Sequence, residues 1–327
     1  MDKPVSIGID VGKFTLSCSA PHSKVRDFDN NRAGISTMLD FCGRCAPPPR
    51  LLFVMEASGG YSEFAARTLL ELAPTSVAIV PPICISSFIK SRIKRLKNDH
   101  ADALAIRLFG EKTELKPWLP PSLAQRRLRE LLLVLDNVKQ TMVRQKCLTE
   151  KLTTAPTPES VAVACLATMR AEAEAQRRSV EAEIEAVIAS EPQLAADSAN
   201  MLSIPSVGPA LRTVLLALCH RQLHELSQRR LLAHCGLAPQ ENQSGKSAGH
   251  TTLNKAGDPR IRTTLYMAAQ CAIRPGGILH DYYQRQRQKK KSGKSALMSV
   301  MRKLLYLIQA VVKSGTRFDK ERYAHAA

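Results

Sequence analysis

Apolar and polar residues alternate in the first segment of the chain. The stretch VSIGIDV at residues 5–11 places apolar side chains at every second position, as a half-buried strand does. The stretches FTLSCSA and KVRDFDN predict a second and a third strand, with a turn at Gly12 between the first two. An amphipathic stretch over residues 34–42 predicts a helix, which the proline run beginning at Pro47 ends.

The pattern then changes to alternating strands and helices. The continuous apolar run LLFVMEAS predicts a central strand, YSEFAARTLLELA a helix, and SVAIV a strand stopped by Pro81 and Pro82. A last helix contains Asp99 and Asp102. The predicted order is three strands, helix, strand, helix, strand, helix, which is typical of an α/β domain over residues 1–120.

Residues 121–194 have a different periodicity. A long apolar stripe runs from Ser122 to Leu152 between charged faces, and TTAPTPES interrupts it before the polar helix AEAEAQRRSVEAEIEAVIA. Narrow apolar faces with charge pairs four residues apart predict a helical hairpin or coiled coil. Such a segment serves either as a spacer between domains or as a dimerisation element.

Residues 195–327 predict a mainly α-helical domain of short helices with glycine-rich interruptions. The stretch SIPSVGPAL predicts a tight turn between two helices. The stretch QENQSGKSAGHTTLNKAGDP predicts a polar loop of 20 residues, and structureless loops of that length are more often functional than not. A basic run, RQRQKKKSGK, follows near the C-terminus.

Composition narrows the function classes. A formal net charge of +18 and a pI near 9.7 favour nucleic acid as the partner. The N-terminus lacks a signal-peptide pattern and no apolar stretch approaches the ~20 residues of a membrane span, so we expect a cytoplasmic protein. The nine cysteines include one C-x-x-C pair, Cys42 and Cys45, without a second pair at zinc-site spacing, which favours reduced thiols.

Four acidic residues fall where strand ends and a helix can bring them together. Asp10 lies at the end of the first strand and Glu56 at the end of an apolar strand, while Asp99 and Asp102 share one helix face. Each acid also has an ordinary structural interpretation. Asp10 could be a turn residue and Glu56 an exposed strand end, while Asp99 and Asp102 could favour the positive end of a helix whose N-cap is Asn98.

Convergence of all four favours a metal site. Four carboxylates in one place would repel one another, and a hard divalent ion such as Mg²⁺ relieves that repulsion. Two such ions about 4 Å apart can hold the attacking and leaving oxygens of a phosphodiester. A cationic cluster directly before the aspartates would bind the rest of a nucleic-acid strand: Arg92, Lys94, Arg95 and Lys97.

Three stretches of this half, IGIDVGK, FVMEASGGY and KNDHADALAIRL, resemble the catalytic half of the IS110 (IS-one-ten) family of insertion-sequence transposases, also called DEDD recombinases. The resemblance implies an RNase H-like (RuvC-like) fold for residues 1–120. It also matches Asp10, Glu56, Asp99 and Asp102 to the four acidic positions of the family.

The second half carries a further resemblance, in LAHCGLAPQENQSGKSAGHTTLNKAGDPRIRTTLYMAA. From the residues alone, Ser244 and Ser247 are equivalent candidates, and a solvated loop hydroxyl is the ordinary interpretation of either. The resemblance implies that Ser244 is the nucleophile, which attacks the scissile phosphate and forms a covalent phosphoserine link to DNA. Gly245 would allow close approach of the DNA backbone, and the cations Lys246, Lys255 and Arg260 would neutralise phosphates.

The stretch IPSVGP resembles the family's helix-hairpin-helix-like element, which binds phosphates through backbone N–H groups at a helix N-terminus. Gly208 would be its phosphate-binding residue. Ser206 stands where a glycine is usual, so a left-handed backbone there is strained, and a simple helix–helix turn remains an equal alternative.

The resemblance implies a magnesium-dependent DNA recombinase that acts on donor and target DNA. It further implies a structured non-coding bridge RNA that pairs with both, and a homo-dimer or tetramer in which Ser244 of one subunit meets the acids of another. Three alternatives remain: a metal-only, structure-selective nuclease of Holliday-junction type, an actin-like kinase, and an inert nucleic-acid-binding protein. The kinase would need a second glycine-rich phosphate loop, which the sequence lacks.

Overall fold

The computed structural model describes residues 3–91, 99–154, 159–241, 251–253, 255–289 and 291–323. Residue contacts separate the chain into an N-terminal unit, Met1–Pro120, and a C-terminal unit, Pro121–Ala327. The two units have separate apolar cores, and each is described by itself.

A five-stranded mixed sheet forms the centre of the N-terminal unit. Its strand order is β3-β2-β1-β4-β5, with β1, β4 and β5 parallel and the β1–β2 and β2–β3 pairs antiparallel. The strands are β1 Val5–Val11, β2 Thr15–Ser19, β3 Arg26–Asp29, β4 Leu51–Glu56 and β5 Ser76–Val80. The alternation and the apolar run therefore predicted all five strands correctly.

Four helices cover the sheet: α1 Arg32–Gly43, α2 Gly60–Leu72, α3 Pro82–Ser91 and α4 Asp99–Lys112. Ile7 and Ile9 of β1 share a core with α1 and α2, while Val54 of β4 shares the opposite core with α3 and α4. The helix α3 was not predicted, because Pro82 was interpreted only as the end of a strand. Proline also fits the first turn of a helix, where its nitrogen needs no hydrogen-bond partner.

The C-terminal unit is almost wholly helical within the part of the chain that the structure describes. Its helices are α5 Leu123–Thr153, α6 Ser160–Ser190, α7 Pro192–Leu202, α8 Pro209–Glu225, α9 Gln228–His234, α10 Pro259–Ala272, α11 His280–Gln288, α12 Gly293–Ser314 and α13 Lys320–Tyr323. One apolar core joins residues from α5 to α12.

The two long helices α5 and α6 form the predicted helical hairpin. Arg127 near the start of α5 pairs with Glu183 near the end of α6, at 2.5 Å, so the helices are antiparallel. A capping box between Ser122 and Gln125 starts α5. The polar helix starts at Ser160, earlier than its most charged stretch suggested, because the preceding VAVACLATM is also helix-compatible.

Two further expectations for this unit are corrected. The stretch predicted to be a loop, residues 240–259, includes most of a short antiparallel strand pair, β6 Pro239–Glu241 and β7 Thr251–Leu253. The helices are also not all short, since α12 has 22 residues. By length and composition α12 is apolar enough to cross a membrane, which the sequence analysis did not expect, but its buried residues belong to the core of the unit.

Candidate functional site

Backbone contact between α4 and β1 positions the candidate site. A Cβ on Gly8 would lie 2.2 Å from the Ala103 carbonyl oxygen and 2.3 Å from the Arg107 nitrogen, so this close packing requires glycine. The Ser6 hydroxyl donates to the Arg107 carbonyl at 3.1 Å. As the chain passes from Ser6 to Gly8 along β1, the contacts shift from Arg107 back to Ala103 of α4, so the helix is antiparallel to the strand. The first turn of α4 therefore lies at the carboxyl end of β1.

The two strand acids lie side by side on the same face of the sheet. Ile9 pairs with Met55 in the parallel register, so Asp10 and Glu56 follow as neighbours. Ile9 and Met55 point into one core, and the pleat therefore turns Asp10 and Glu56 to the opposite face, which α4 covers.

Asp99 and Asp102 complete the acidic cluster from the first turn of α4. Burial first, and then the charges of Asp99, Asp102 and Glu56, raise the pKa of Asp10 from 3.8 to about 6. Burial and the charge of Asp102 also raise the pKa of Glu56. The four predicted acids are therefore electrostatically coupled, at the carboxyl ends of two parallel strands.

The donor set of this cluster fits magnesium. All four side chains supply carboxylate oxygens, which hard cations prefer. None of the four supplies a nitrogen or sulfur ligand, which would favour zinc. Burial and the repulsion of like charges raise the pKa of Asp10. A divalent cation would remove that repulsion.

A pair that the sequence analysis missed holds the first turn of α4. His100 lies between the two helix aspartates, and its Nε2 is 3.1 Å from Asp27 Oδ1 on β3. The same oxygen accepts a hydrogen bond from Ser17 on β2 at 2.7 Å. The bonds to Ser17 and His100 lower the pKa of Asp27. His100 thus links the helix start to the sheet edge, which sequence spacing could not reveal because Asp27 is remote along the chain.

Several predicted residues lie outside the described part of the chain. They comprise the cationic cluster before α4 and the serine loop: Arg92, Lys94, Arg95, Lys97, Ser244, Gly245, Lys246 and Ser247. The strands β6 and β7 flank the serine loop, with Glu241 paired to Thr251. The two ends of the loop are therefore held at neighbouring positions of one hairpin.

Among the described cations of that region, Lys255 is exposed with a positive φ of 54°. Arg260 instead pairs with Asp258 at 2.7 Å and with Asp136 at 3.6 Å. The hydrogen bond to Asp258 is the main cause of the raised pKa of Arg260. Phosphate binding by Arg260 stays a prediction, and a phosphate there would share the guanidinium with Asp258 and Asp136.

The turn between α7 and α8 has the geometry of a helix start without a side-chain cap. Gly208 is the N-cap residue of α8 and makes no side-chain capping bond, and a Cβ there would meet no atom within 4 Å. Ser206 has a φ of 81°. The left-handed backbone expected at this position is thus present, and a serine adopts it.

Comparison with known families accounts for most of the chain. Residues 7–155 match the DEDD transposase model of IS110 type, described as a transposase. Residues 198–284 match the model described as the transposase IS116/IS110/IS902 family. The first match contains all four acids and the second contains Ser244. The DEDD family implies a RuvC-like RNase H fold for the N-terminal unit.

Similar individual proteins agree with these matches. The chain is 27% identical over 322 residues to the pilin gene-inverting protein of Moraxella lacunata, covering 96% of this chain and 97% of that one. The corresponding protein of Moraxella bovis is 26% identical over the same length. A 43.6 kDa protein of the insertion element IS110 of Streptomyces coelicolor is 26% identical over 144 residues, or 44% of this chain and 35% of that protein.

Proposed function

The chain belongs to the IS116/IS110/IS902 family of transposases, and from that premise we propose how it cuts and rejoins DNA. Its activity is that of a DNA recombinase or transposase. The relatives that match it over nearly their whole length are named for inverting a pilin gene. The proposed reaction is therefore exchange of DNA strands, with inversion of a segment as one possible product.

The acidic cluster is proposed to be a magnesium site for the scissile phosphate. Asp10, Glu56, Asp99 and Asp102 would hold one or two ions. The observation that supports this is the placement of the first turn of α4, with two of these acids, at the strand ends that carry the other two. When bound, Mg²⁺ would supply charge neutralisation and Lewis-acid polarisation of the phosphate. Gly8 and His100 act as positioning residues, because they fix α4 against β1 and β3.

Ser244 is proposed as the nucleophile. Its Oγ would attack phosphorus, forming a P–Oγ bond while the bond from phosphorus to one deoxyribose oxygen breaks and that oxygen takes up a proton. The phosphoserine ester keeps the energy of the broken bond, so rejoining needs no ATP. Serine is a weak nucleophile without a base or metal, so the proposal requires the acidic cluster of the same or another subunit close to Ser244.

The remaining proposals concern partners and location. A structured bridge RNA would pair with donor and target DNA, so that base pairing supplies sequence choice and the protein contacts backbone and shape. The net charge of +18 supports a nucleic-acid partner, and RNA and DNA fit it equally.

The active form would be a dimer or tetramer in the cytoplasm, with active sites composed of residues from two subunits. The helices α5 and α6 are candidates for a coiled coil between subunits.

Product chemistry tests the nucleophile. The Ser244→Ala variant should lower covalent protein–DNA adducts by ~10³-fold or more, while binding of the same DNA changes little. The Ser247→Ala variant is the matched control, and it should retain adducts. Adducts that persist in Ser244→Ala and vanish in Ser247→Ala would transfer the role to Ser247.

The same acidic cluster also supports a second candidate function, a metal-dependent nuclease in which water attacks the phosphate. That enzyme would release free DNA ends and never carry a phosphoserine. Asp102→Asn would abolish cleavage under either candidate. Cleavage that Ser244→Ala leaves intact, with free ends only, would favour the nuclease.

A further inference from the structure

A second cluster of metal-ligating side chains lies in the C-terminal unit. Asp197 of α7 and His220 and His224 of α8 place one ligand atom each within 4.8 Å of one another. The two histidine Nε2 atoms are 2.7 and 2.8 Å from Asp197 Oδ2. We propose that these three residues form a binding site for a transition-metal ion of the Zn²⁺ class, distinct from the acidic cluster.

The backbone arranges the cluster. His220 and His224 are four residues apart on one helix face, and their rings are nearly perpendicular, with centroids 5.2 Å apart. Cys219, directly before the first histidine, has non-helical angles of φ −138° and ψ 15°. This kink interrupts α8 at the point where the histidine pair begins, and the segment after it carries both rings against Asp197.

Burial and access also suit a bound ion. The Asp197 side chain is 1% exposed, whereas His220 is 14% and His224 is 33% exposed. A solvent-facing side therefore lets an ion enter, and an almost fully buried carboxylate lies opposite it. Gln193 also donates a hydrogen bond to Asp197 Oδ2 at 3.2 Å, which helps to hold this oxygen beside the two rings.

The ligand chemistry selects the metal class. Two imidazoles and one carboxylate are ligands of Zn²⁺, Fe²⁺, Co²⁺ or Ni²⁺, whereas Mg²⁺ prefers oxygen donors. Metal ligation needs small movements, because ligand atoms around tetrahedral zinc are ~3.3 Å apart while the present N···O separations are 2.7 and 2.8 Å. It also needs the proton of each ring on Nδ1, leaving Nε2 free for the ion.

Such a site would fix α7 to α8. Asp197 lies in the middle of α7, and the histidines lie in the last part of α8, so one ion would tie the two helices on either side of the turn at 203–208. The expected effect is stabilisation of the C-terminal unit by zinc.

Metal binding by the purified full chain tests the proposal. With 1 mM Mg²⁺ present to occupy oxygen-rich sites, zinc at ~100 times its Kd should raise Tm by ~5–10 °C. Co²⁺ should give the absorption of a nitrogen-containing, low-coordinate site. Both signals should be lost in His224→Gln, which keeps a donor for Asp197, and retained in Asp102→Asn, a variant of the other cluster.

Two outcomes would overturn the proposal. If neither metal binds wild-type protein, the three side chains are a hydrogen-bonded network only. If zinc binding is lost in Asp102→Asn and retained in His224→Gln, the ion occupies the acidic cluster instead. The His100→Gln variant is a further control, because it also removes a histidine that pairs with an aspartate, but outside the proposed zinc site. It should bind zinc as the wild type does.

Discussion

A Cβ on Gly8 would lie 2.2 Å from the carbonyl oxygen of Ala103, so β1 and α4 pack backbone to backbone. Neither residue takes part in the proposed reaction, but their contact sets the distance between the acids of the strand and those of the helix. The arrangement of the acidic cluster thus depends on the absence of one side chain.

Replacing Gly8 with alanine should displace α4 and destabilise the N-terminal unit. Both nearest atoms belong to backbone, which cannot rotate away, so we expect a loss of ~2–4 kcal/mol in unfolding free energy. Urea denaturation measures that loss. Gly43→Ala is the matched control, because a Cβ there meets nothing within 4 Å, and equal stability of the two variants would contradict the close packing.

Asp10→Asn should stabilise the metal-free protein at pH 7.5. The folded-state pKa of Asp10 is about 6 against an ordinary value of 3.8, so the native state binds the proton more tightly than the unfolded state. Stability from this group is present below pH 4 and is lost as the pH rises through 6. A shift of one pKa unit corresponds to ~1.4 kcal/mol. Because solvent screens part of this effect, the free energy of unfolding of Asp10→Asn should exceed that of the wild type by ~1–2 kcal/mol.

The outcome for Asp10→Asn should reverse when magnesium is added. Mg²⁺ should stabilise the wild type and leave the variant nearly unchanged, as measured by Tm in metal and in chelator. A variant that is less stable than the wild type in chelator at pH 7.5 would show that Asp10 does not experience the repulsion described.

Magnesium binding should weaken as the pH falls through about 6. Protonation of Asp10, whose pKa is about 6, competes with the ion, and affinity should fall about tenfold per pH unit below that value. Calorimetric titration between pH 5 and 8 measures it. In Asp10→Asn the remaining affinity should depend less steeply on pH, because only Glu56, whose pKa is also raised, still contributes to it. A wild-type affinity that is constant down to pH 5 would exclude Asp10 as a ligand.

Arg212 should contribute far more stability than a surface arginine. Its side chain is 3% exposed and pairs with Glu185, and its Nη1 donates to Ser198 at 3.1 Å. Arg212→Met should cost ~1–3 kcal/mol, because it leaves the buried hydroxyls of Ser198 and Thr213 without this donor. The control is Arg127→Met, whose exposed pair with Glu183 should be worth under ~1 kcal/mol. Similar losses in thermal unfolding would refute the distinction.

Ser206→Gly should stabilise the C-terminal unit by ~0.5–1 kcal/mol, because the φ of 81° strains any residue with a Cβ. Ser203→Gly should do the opposite. Ser203 has right-handed backbone angles, and its hydroxyl accepts a hydrogen bond from the Phe318 nitrogen at 2.7 Å. Chemical denaturation of both variants gives the comparison, and destabilisation by Ser206→Gly would show that its side chain has an unseen role.

Local patterns predicted the N-terminal sheet because side-chain alternation and strand burial are short-range properties. Residues 5–11 alternate and form β1, and the apolar run ending at Glu56 forms β4. The order of elements then implied that the four acids meet. The helix α3 was missed because a proline pair marks both the end of a strand and the start of a helix, and local sequence does not distinguish these.

Two side-chain clusters that depend on the packing of distant elements were not predicted. The pair of Asp27 with His100 and the cluster of Asp197 with two histidines depend on how distant elements pack. A signal was present in HRQLH, where two histidines are four residues apart, but its carboxylate partner lies on another helix. The strands β6 and β7 were missed because three-residue strands show too little alternation.

All four acidic residues, and both apolar cores of the sheet, precede Pro120. A copy of the gene interrupted after that codon would encode a fragment that retains the carboxylates while lacking every candidate nucleophile in the second half. Under the proposed mechanism, such a fragment could form no covalent link to DNA, so the boundary between the two units would also divide metal binding from strand exchange.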